Sequence, residues 1–104
     1  MFSDRTSDDL RAQIRSKMLA TPEHVRVAAV TSLSKLPPPD PAQSFDVPAL
    51  AIVATYTTDA AAAVMRPIFP KLRVEQWENY GHFLMMEDAA RFNRSLESFL
   101  AARP

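Results

Sequence analysis

The feature that most limits the fold is an unbroken apolar run at residues 49–54, Ala-Leu-Ala-Ile-Val-Ala, in the second half of the chain. Bounded by Pro48 and by the polar residues 55–58, this run predicts a strand buried on both faces, and such strands are usually parallel. Residues 72–77 alternate between apolar and polar side chains, which predicts a second, more exposed strand. An alanine-rich stretch at residues 59–65 predicts a helix between them, so the order indicates a right-handed βαβ unit.

Two amphipathic helices are predicted before this unit. Ser7 is the expected N-cap of the first helix, which repeats apolar residues every four positions down to Leu19. The second is expected to begin with Pro22 in its first helical position and to end before Pro37. It carries a narrow stripe of small and apolar side chains, which predicts closely packed neighbours.

The predicted fold class is α/β, with two helices followed by a βαβ unit with parallel strands and a C-terminal helix. That last helix is expected to begin near residues 87–88, with Phe92, Leu96, Phe99 and Leu100 on its apolar face and Arg91, Arg94 and Glu97 directed away from it. We divide the chain into a helical segment (1–36), a proline-rich, stiff connector (37–46) and a C-terminal βαβα part (47–104).

Composition excludes several classes of function. Twelve acidic residues balance twelve basic ones, so no net field attracts nucleic acid or an anionic membrane surface. Gly81 is the only glycine, which excludes P-loops and dinucleotide-binding loops, because these need several glycines close together. The longest apolar stretch, residues 47–54, is too short to span a bilayer. His24 has no partner at metal-ligand spacing. We therefore expect a cytoplasmic protein without a cofactor or a metal.

The second half of the chain carries a pattern that resembles the last third of α/β-hydrolases. It consists of a Val-Pro-led buried strand at residues 47–54, the segment Tyr-Gly-His-Phe-Leu at residues 80–84, Glu87, and a helix that ends in Phe-Leu. The two N-terminal helices resemble part of the cap region of that family. The resemblance implies an incomplete α/β-hydrolase-type fold and a hydrolase that acts on an ester, amide or related bond.

By the same resemblance, His82 is the general base of the site. It would take a proton from a nucleophile and return it to the leaving group. A loop that follows the last strand lies at the carboxyl edge of a parallel sheet, which is where ligands bind in open α/β folds. The competing interpretation is that His82 only decorates a loop or caps the final helix.

The other two members of a catalytic triad are problematic. None of the eight serines has a glycine neighbour, so the chain has no Gly-x-Ser-x-Gly nucleophile elbow. Asp59 is the closest match to the family's acid, but Ala54 replaces the glycine of that turn and Asp59 comes two residues late. Asp59 is equally well explained as a helix N-cap. We therefore expect a chain that is inactive alone.

Two partners are compatible with this sequence. An N-terminal hydrolase portion would complete the sheet, or a second copy of the chain would pair along the open sheet edge. The alternative to a hydrolase fragment is a small non-enzymatic binding or dimerisation module.

Met85 and Met86 either line an apolar pocket or pack on the sheet. Trp77 and Tyr80 are expected to pack in the core or at its rim rather than to stack on bases, because no basic patch accompanies them.

Overall fold

A computed structural model describes residues 1–54 and 59–102, and in residues 59–61 it describes the backbone alone. Seven elements follow one another in this part of the chain: α1 (Asp8–Ala20), α2 (Glu23–Ser34), β1 (Ala49–Ala54), α3 (Asp59–Met65), β2 (Leu72–Trp77), α4 (Leu84–Glu87) and α5 (Ala89–Ala101). The prediction of a mixed α/β chain with a parallel sheet is confirmed at this coarse level.

The two strands pair in parallel, in a register that aligns Ala49 with Leu72 and Ala54 with Trp77. Both strands have the predicted bounds. The prediction that β1 is buried on both faces is wrong, because only Ala54 is buried and the other five residues are half-buried. Within the described residues β2 is the one strand that pairs with β1, which leaves the other edge of β1 unpaired.

Apart from Ile14 and Leu72, the buried apolar side chains of the described residues form one small cluster at the carboxyl end of the two strands. It consists of Ala54, Trp77, Tyr80 and Leu84, with Ile52 and Phe92 packed against it. The rings of Trp77 and Tyr80 meet edge to face, with their centroids 5.1 Å apart. Both aromatic residues therefore pack in the core, as the sequence predicted.

The two N-terminal helices differ in how far they are packed. In α1, the amide of Leu10 donates to the Ser7 side chain at 3.2 Å, which confirms Ser7 as the N-cap. Helix α2 begins one residue later than predicted, because Pro22 occupies the N-cap position. No residue of α2 is buried, so the predicted close packing of its small-residue stripe is wrong. None of the described helices has the length and hydropathy needed to cross a bilayer.

The end of the chain forms two helices where the sequence predicted one. The short α4 ends at Glu87, and Asp88 then caps α5 by accepting a hydrogen bond from the amide of Arg91 at 3.0 Å. Arg91 was expected to point away from the core, but its guanidinium lies 4.1 Å from the centre of the Trp77 ring. A cation over an indole face is attracted by the ring's electron density, which explains this orientation. Leu100 is 57% exposed, against expectation.

Candidate functional site

The carboxyl ends of β1 and β2 define one edge of the sheet, and His82 lies at that edge. Because the strands are parallel, their last residues, Ala54 and Trp77, are paired neighbours. The loop from Glu78 to Phe83, which we call the histidine loop, leaves β2 at this edge. It turns at Asn79, whose φ of 61° is one that asparagine tolerates better than most residues.

A cavity of about 220 Å³ lies beside His82. Its lining is apolar apart from the imidazole, and consists of Ile52, Val53, Ala54, His82, Leu84, Met85 and Phe92. Its volume is below the roughly 300–1,000 Å³ of pockets that take drug-sized ligands. The cavity is therefore too small for a ligand of that size. Met85, which is 42% exposed, is among the residues that line this cavity.

The side chain of His82 is exposed, but the backbone of His82 is held in place. Its amide donates to the carbonyl oxygen of Met1 at 2.7 Å. The imidazole meets the ring of Phe83 edge to face at 5.5 Å, and Phe83 in turn lies 6.2 Å from the ring of Phe2. The backbone of the histidine loop is thus fixed by the first residues of the chain, while the imidazole remains accessible.

Gly81 makes the close approach between these segments possible. Its amide donates to both carboxylate oxygens of Glu87, at 2.9 and 3.2 Å. A Cβ atom at this position would lie 2.5 Å from Oε1 of Glu87 and 2.6 Å from the carbonyl oxygen of Met1. The φ of Gly81 is not positive, so glycine is required here for space and not for a left-handed conformation.

Glu87 is the centre of a hydrogen-bond network that joins the histidine loop to the N-terminal segment, residues 1–6. Besides the Gly81 amide, it accepts hydrogen bonds from the hydroxyl of Thr6 at 2.7 Å and from the hydroxyl of Ser3 at 2.9 Å. Burial raises the pKa of Glu87, but these hydrogen bonds and the charge of Arg5 outweigh burial and lower the pKa below its ordinary value. Glu87 is therefore a carboxylate at neutral pH.

A second set of contacts supports the loop at Tyr80. The hydroxyl of Tyr80 donates to Asp88 at 2.9 Å, and the guanidinium of Arg5 lies 4.6 Å from the centre of the Tyr80 ring. Hydrogen bonds from the Arg91 amide and from Tyr80 lower the pKa of Asp88. Tyr80, directly before Gly81, is thus clamped between α5 and the N-terminal segment.

The role of the N-terminal segment was not predicted from the sequence. The hydrogen bond between Ser3 and Glu87 joins residues 84 positions apart, and local periodicity carries no information about contacts of that range. A possible signal was the pair of hydroxyl residues, Ser3 and Thr6, before the N-cap of α1. Such pairs are common near helix starts and do not by themselves point to a distant carboxylate.

The predicted acid, Asp59, is the first residue of α3, and its side chain lies outside the described residues. Its role in orienting His82 stays a prediction. Among the residues that the structure describes, no carboxylate hydrogen-bonds to the His82 imidazole. Glu87 holds the backbone of the loop rather than the imidazole ring.

No serine is arranged as an activated nucleophile in the described part of the chain. The hydroxyl of Ser3, close to the histidine loop, donates to Glu87, and that of Ser95 donates to Glu75 at 2.7 Å. Ser7 caps α1.

Comparison of the chain with protein-family models, with curated proteins and with solved structures gives no match in any of the three.

Proposed function

We propose that this chain supplies the histidine portion of an α/β-hydrolase-type active site, with His82 as the general base for cleavage of an ester, amide or related bond. The observation that carries the proposal is the location of His82 at the carboxyl edge of a parallel strand pair, beside a small apolar cavity. An imidazole there reaches a reacting group held at the same edge. The nucleophile and the oxyanion donors would come from sequence outside these 104 residues.

The dimensions of the chain support the idea that it is completed by another segment. Its radius of gyration is 16.3 Å, whereas a compact domain of this length has about 13 Å. Its accessible surface is 7768 Å², about one third more than the roughly 5,800 Å² expected for a folded monomer of this mass. This excess is larger than the roughly 800 Å² that each partner buries in a standard interface.

The surface that would be covered lies along β1 and α5. One edge of β1 is unpaired among the described residues. Side chains of β1 and α5 also line an open apolar groove of about 250 Å³, formed by Leu50, Ile52, Phe92, Leu96 and Phe99. A further parallel strand at this edge would satisfy the backbone groups of β1. A helix that followed it would cover the groove. This is the addition that a larger parallel α/β sheet requires.

The first test is hydrolysis of a panel of p-nitrophenyl esters by the 104-residue chain alone. We expect only the slow reaction of exposed imidazoles, lowered equally by His82→Ala and by His24→Ala. His24 is the matched control, because it is an exposed histidine on α2. Saturable turnover lost in His82→Ala alone would mean that the chain contains its own nucleophile, and the proposal would then be wrong.

The second test joins the chain to the sequence encoded immediately upstream, provided that it contains a Gly-x-Ser-x-Gly turn. We expect ester turnover that falls by about 10³-fold or more in His82→Ala, as in the removal of a triad member, and that is unchanged in His24→Ala. A folded joined protein whose turnover does not depend on His82 would contradict the proposal.

A non-enzymatic dimerisation module is the second candidate function. It is favoured by the exposed apolar side chains of α2, including Val30 at 67% and Leu33 at 66% exposure, together with the unpaired edge of β1. Two copies related by a twofold axis would pair through one of these surfaces, either β1 antiparallel to β1 or α2 against α2. Sedimentation velocity over a hundredfold concentration range distinguishes the candidates, because this module requires a stable dimer that binds no upstream segment.

A further inference from the structure

We infer that the N-terminal segment, residues 1–6, is the positioning element of the histidine loop and that Glu87 is the positioning residue through which it acts. The inference rests on the proposed function only where it says that the loop is positioned for catalysis by His82. The contacts themselves are independent of any reaction.

The loop is held at two consecutive residues, at His82 by the N-terminal segment itself and at Gly81 by Glu87, the last residue of α4. The carbonyl oxygen of Met1 accepts from the amide of His82, and the carboxylate of Glu87 accepts from the amide of Gly81. Both bonds constrain the main chain on which the imidazole is mounted. Because only the side chain of His82 is left to rotate, its reachable positions are limited to a few rotamers.

Glu87 depends on the N-terminal segment for its own orientation. The hydroxyls of Ser3 and Thr6 each donate to one of its oxygens, and Thr6 is only 3% exposed. A carboxylate with fewer donors would turn towards solvent, where water satisfies it equally well. The hydroxyls therefore keep the carboxylate aimed at the Gly81 amide.

Helix α1 fixes the N-terminal segment in turn. The guanidinium of Arg11 donates to the carbonyl oxygens of Thr6 and Ser3, both at 2.9 Å. The Ser3 amide also donates to the Thr6 hydroxyl at 2.9 Å, which closes a tight turn. A continuous chain of hydrogen bonds thus runs from α1 through Thr6 and Glu87 to the histidine loop, so a displacement of α1 is expected to move His82.

The test uses two substitutions of Thr6 that differ in which part of its side chain they remove. Thr6→Val keeps the shape and removes the hydroxyl, whereas Thr6→Ser keeps the hydroxyl and removes the methyl group. Amide hydrogen exchange is measured by NMR for Gly81 and His82, with the β1 and β2 amides as internal reference. We expect Thr6→Val to speed exchange at Gly81 and His82 roughly tenfold or more. Thr6→Ser should stay close to the parent.

Equal acceleration in Thr6→Val and Thr6→Ser would mean that packing holds the loop, and the inference would be overturned. No acceleration in either variant would overturn it as well. If Thr6→Val loses its folded amide dispersion, Ser3→Ala serves as the second variant, because Ser3 is less buried and its hydroxyl also donates to Glu87.

The same variants separate this inference from the proposed function. In the joined protein, Thr6→Val should lower kcat while leaving KM unchanged, and Thr6→Ser should have a kcat close to that of the parent. An unchanged kcat in Thr6→Val would overturn the positioning role in a hydrolase that is otherwise active. If the joined protein has no activity, the hydrogen-exchange result still decides whether residues 1–6 hold the loop.

Discussion

At the scale of single residues, the site depends on how closely main chains approach one another around Gly81. The carboxylate of Glu87 accepts hydrogen bonds from one amide and two hydroxyls. It lies so close to Gly81 that a methyl group there would be 2.5 Å from one of its oxygens. Such a cluster is sensitive to both volume and charge, and these two sensitivities can be measured separately.

Gly81→Ala tests the sensitivity to volume. The added methyl group would lie 2.6 Å from a backbone oxygen, that of Met1, which a side-chain rotation cannot relieve. We expect a loss of about 1–3 kcal/mol in the free energy of unfolding, measured by urea denaturation with Trp77 fluorescence. Ala90→Gly, at an exposed position of α5, is a control in which about 0.5–1 kcal/mol is lost without steric conflict. A Gly81→Ala variant as stable as the parent would contradict the observed packing.

Acidification tests the sensitivity to charge. Because folding lowers the pKa of Glu87, its carboxylate form stabilises the fold at pH values above the unfolded-state pKa. That contribution is lost as the pH falls through the lowered folded-state pKa. Glu87→Gln should therefore be less stable than the parent at neutral pH, with the difference shrinking in acid. Urea midpoints measured from pH 7 to pH 3 check this, and parallel curves for the two proteins would contradict it.

At the scale of elements, the helices contribute unequally to stability. Leu84, at the start of α4, is 4% exposed and belongs to the core, whereas Leu33 of α2 is 66% exposed. Helix α5 packs its Phe92 side chain on the core, but α2 has no buried residue. Helix α2 is therefore held by its covalent connections and its own hydrogen bonds rather than by packing.

This difference predicts the outcome of two leucine truncations. Leu84→Ala should cost about 2–5 kcal/mol, which is enough to unfold a chain with so small a core. Leu33→Ala should change the free energy of unfolding by no more than about 0.5 kcal/mol. Thermal denaturation followed by circular dichroism compares them. A large loss in Leu33→Ala would mean that α2 is packed in solution.

These elements also show what could be predicted from sequence. The bounds of β1 and β2 were predictable, because a short apolar run and an alternating one are local signals, and Ser7 marked the start of α1 for the same reason. Periodicity shows that α2 has an apolar face, but it does not show whether a partner is present. The Arg91 contact with Trp77 and the Glu87 network depend on long-range geometry, so neither was predicted. Of the candidate site, the order of elements predicted the position of His82 at the edge of the sheet.

At the scale of the whole molecule, the chain exposes more surface than a compact domain of its length. Its radius of gyration and accessible surface both exceed those of a compact domain. Two features contribute to this excess: β1 has no second neighbour among the described residues, and α2 has no buried residue.

Substitutions on α2 separate folding from assembly. Val30→Lys combined with Leu33→Lys should leave the unfolding midpoint of the isolated chain nearly unchanged, because both side chains are exposed. If α2 is an interface, the pair should weaken binding of the completing segment or of a second copy about tenfold or more. Urea denaturation measures the unfolding midpoint and sedimentation measures the assembly, and assembly unaffected by the pair would exclude α2 from the interface.

The contacts of the N-terminal segment also set an order of events in folding. The parallel pairing of β1 and β2 joins residues only 23 positions apart, such as Ala49 and Leu72 (72 − 49), but the bond between Ser3 and Glu87 spans 84 positions. Contacts of long sequence separation carry a larger loop-closure entropy and tend to form late. During synthesis, the first residues must wait for nearly the whole chain to emerge. The histidine loop is therefore expected to reach its final geometry last, after the strand pair has formed.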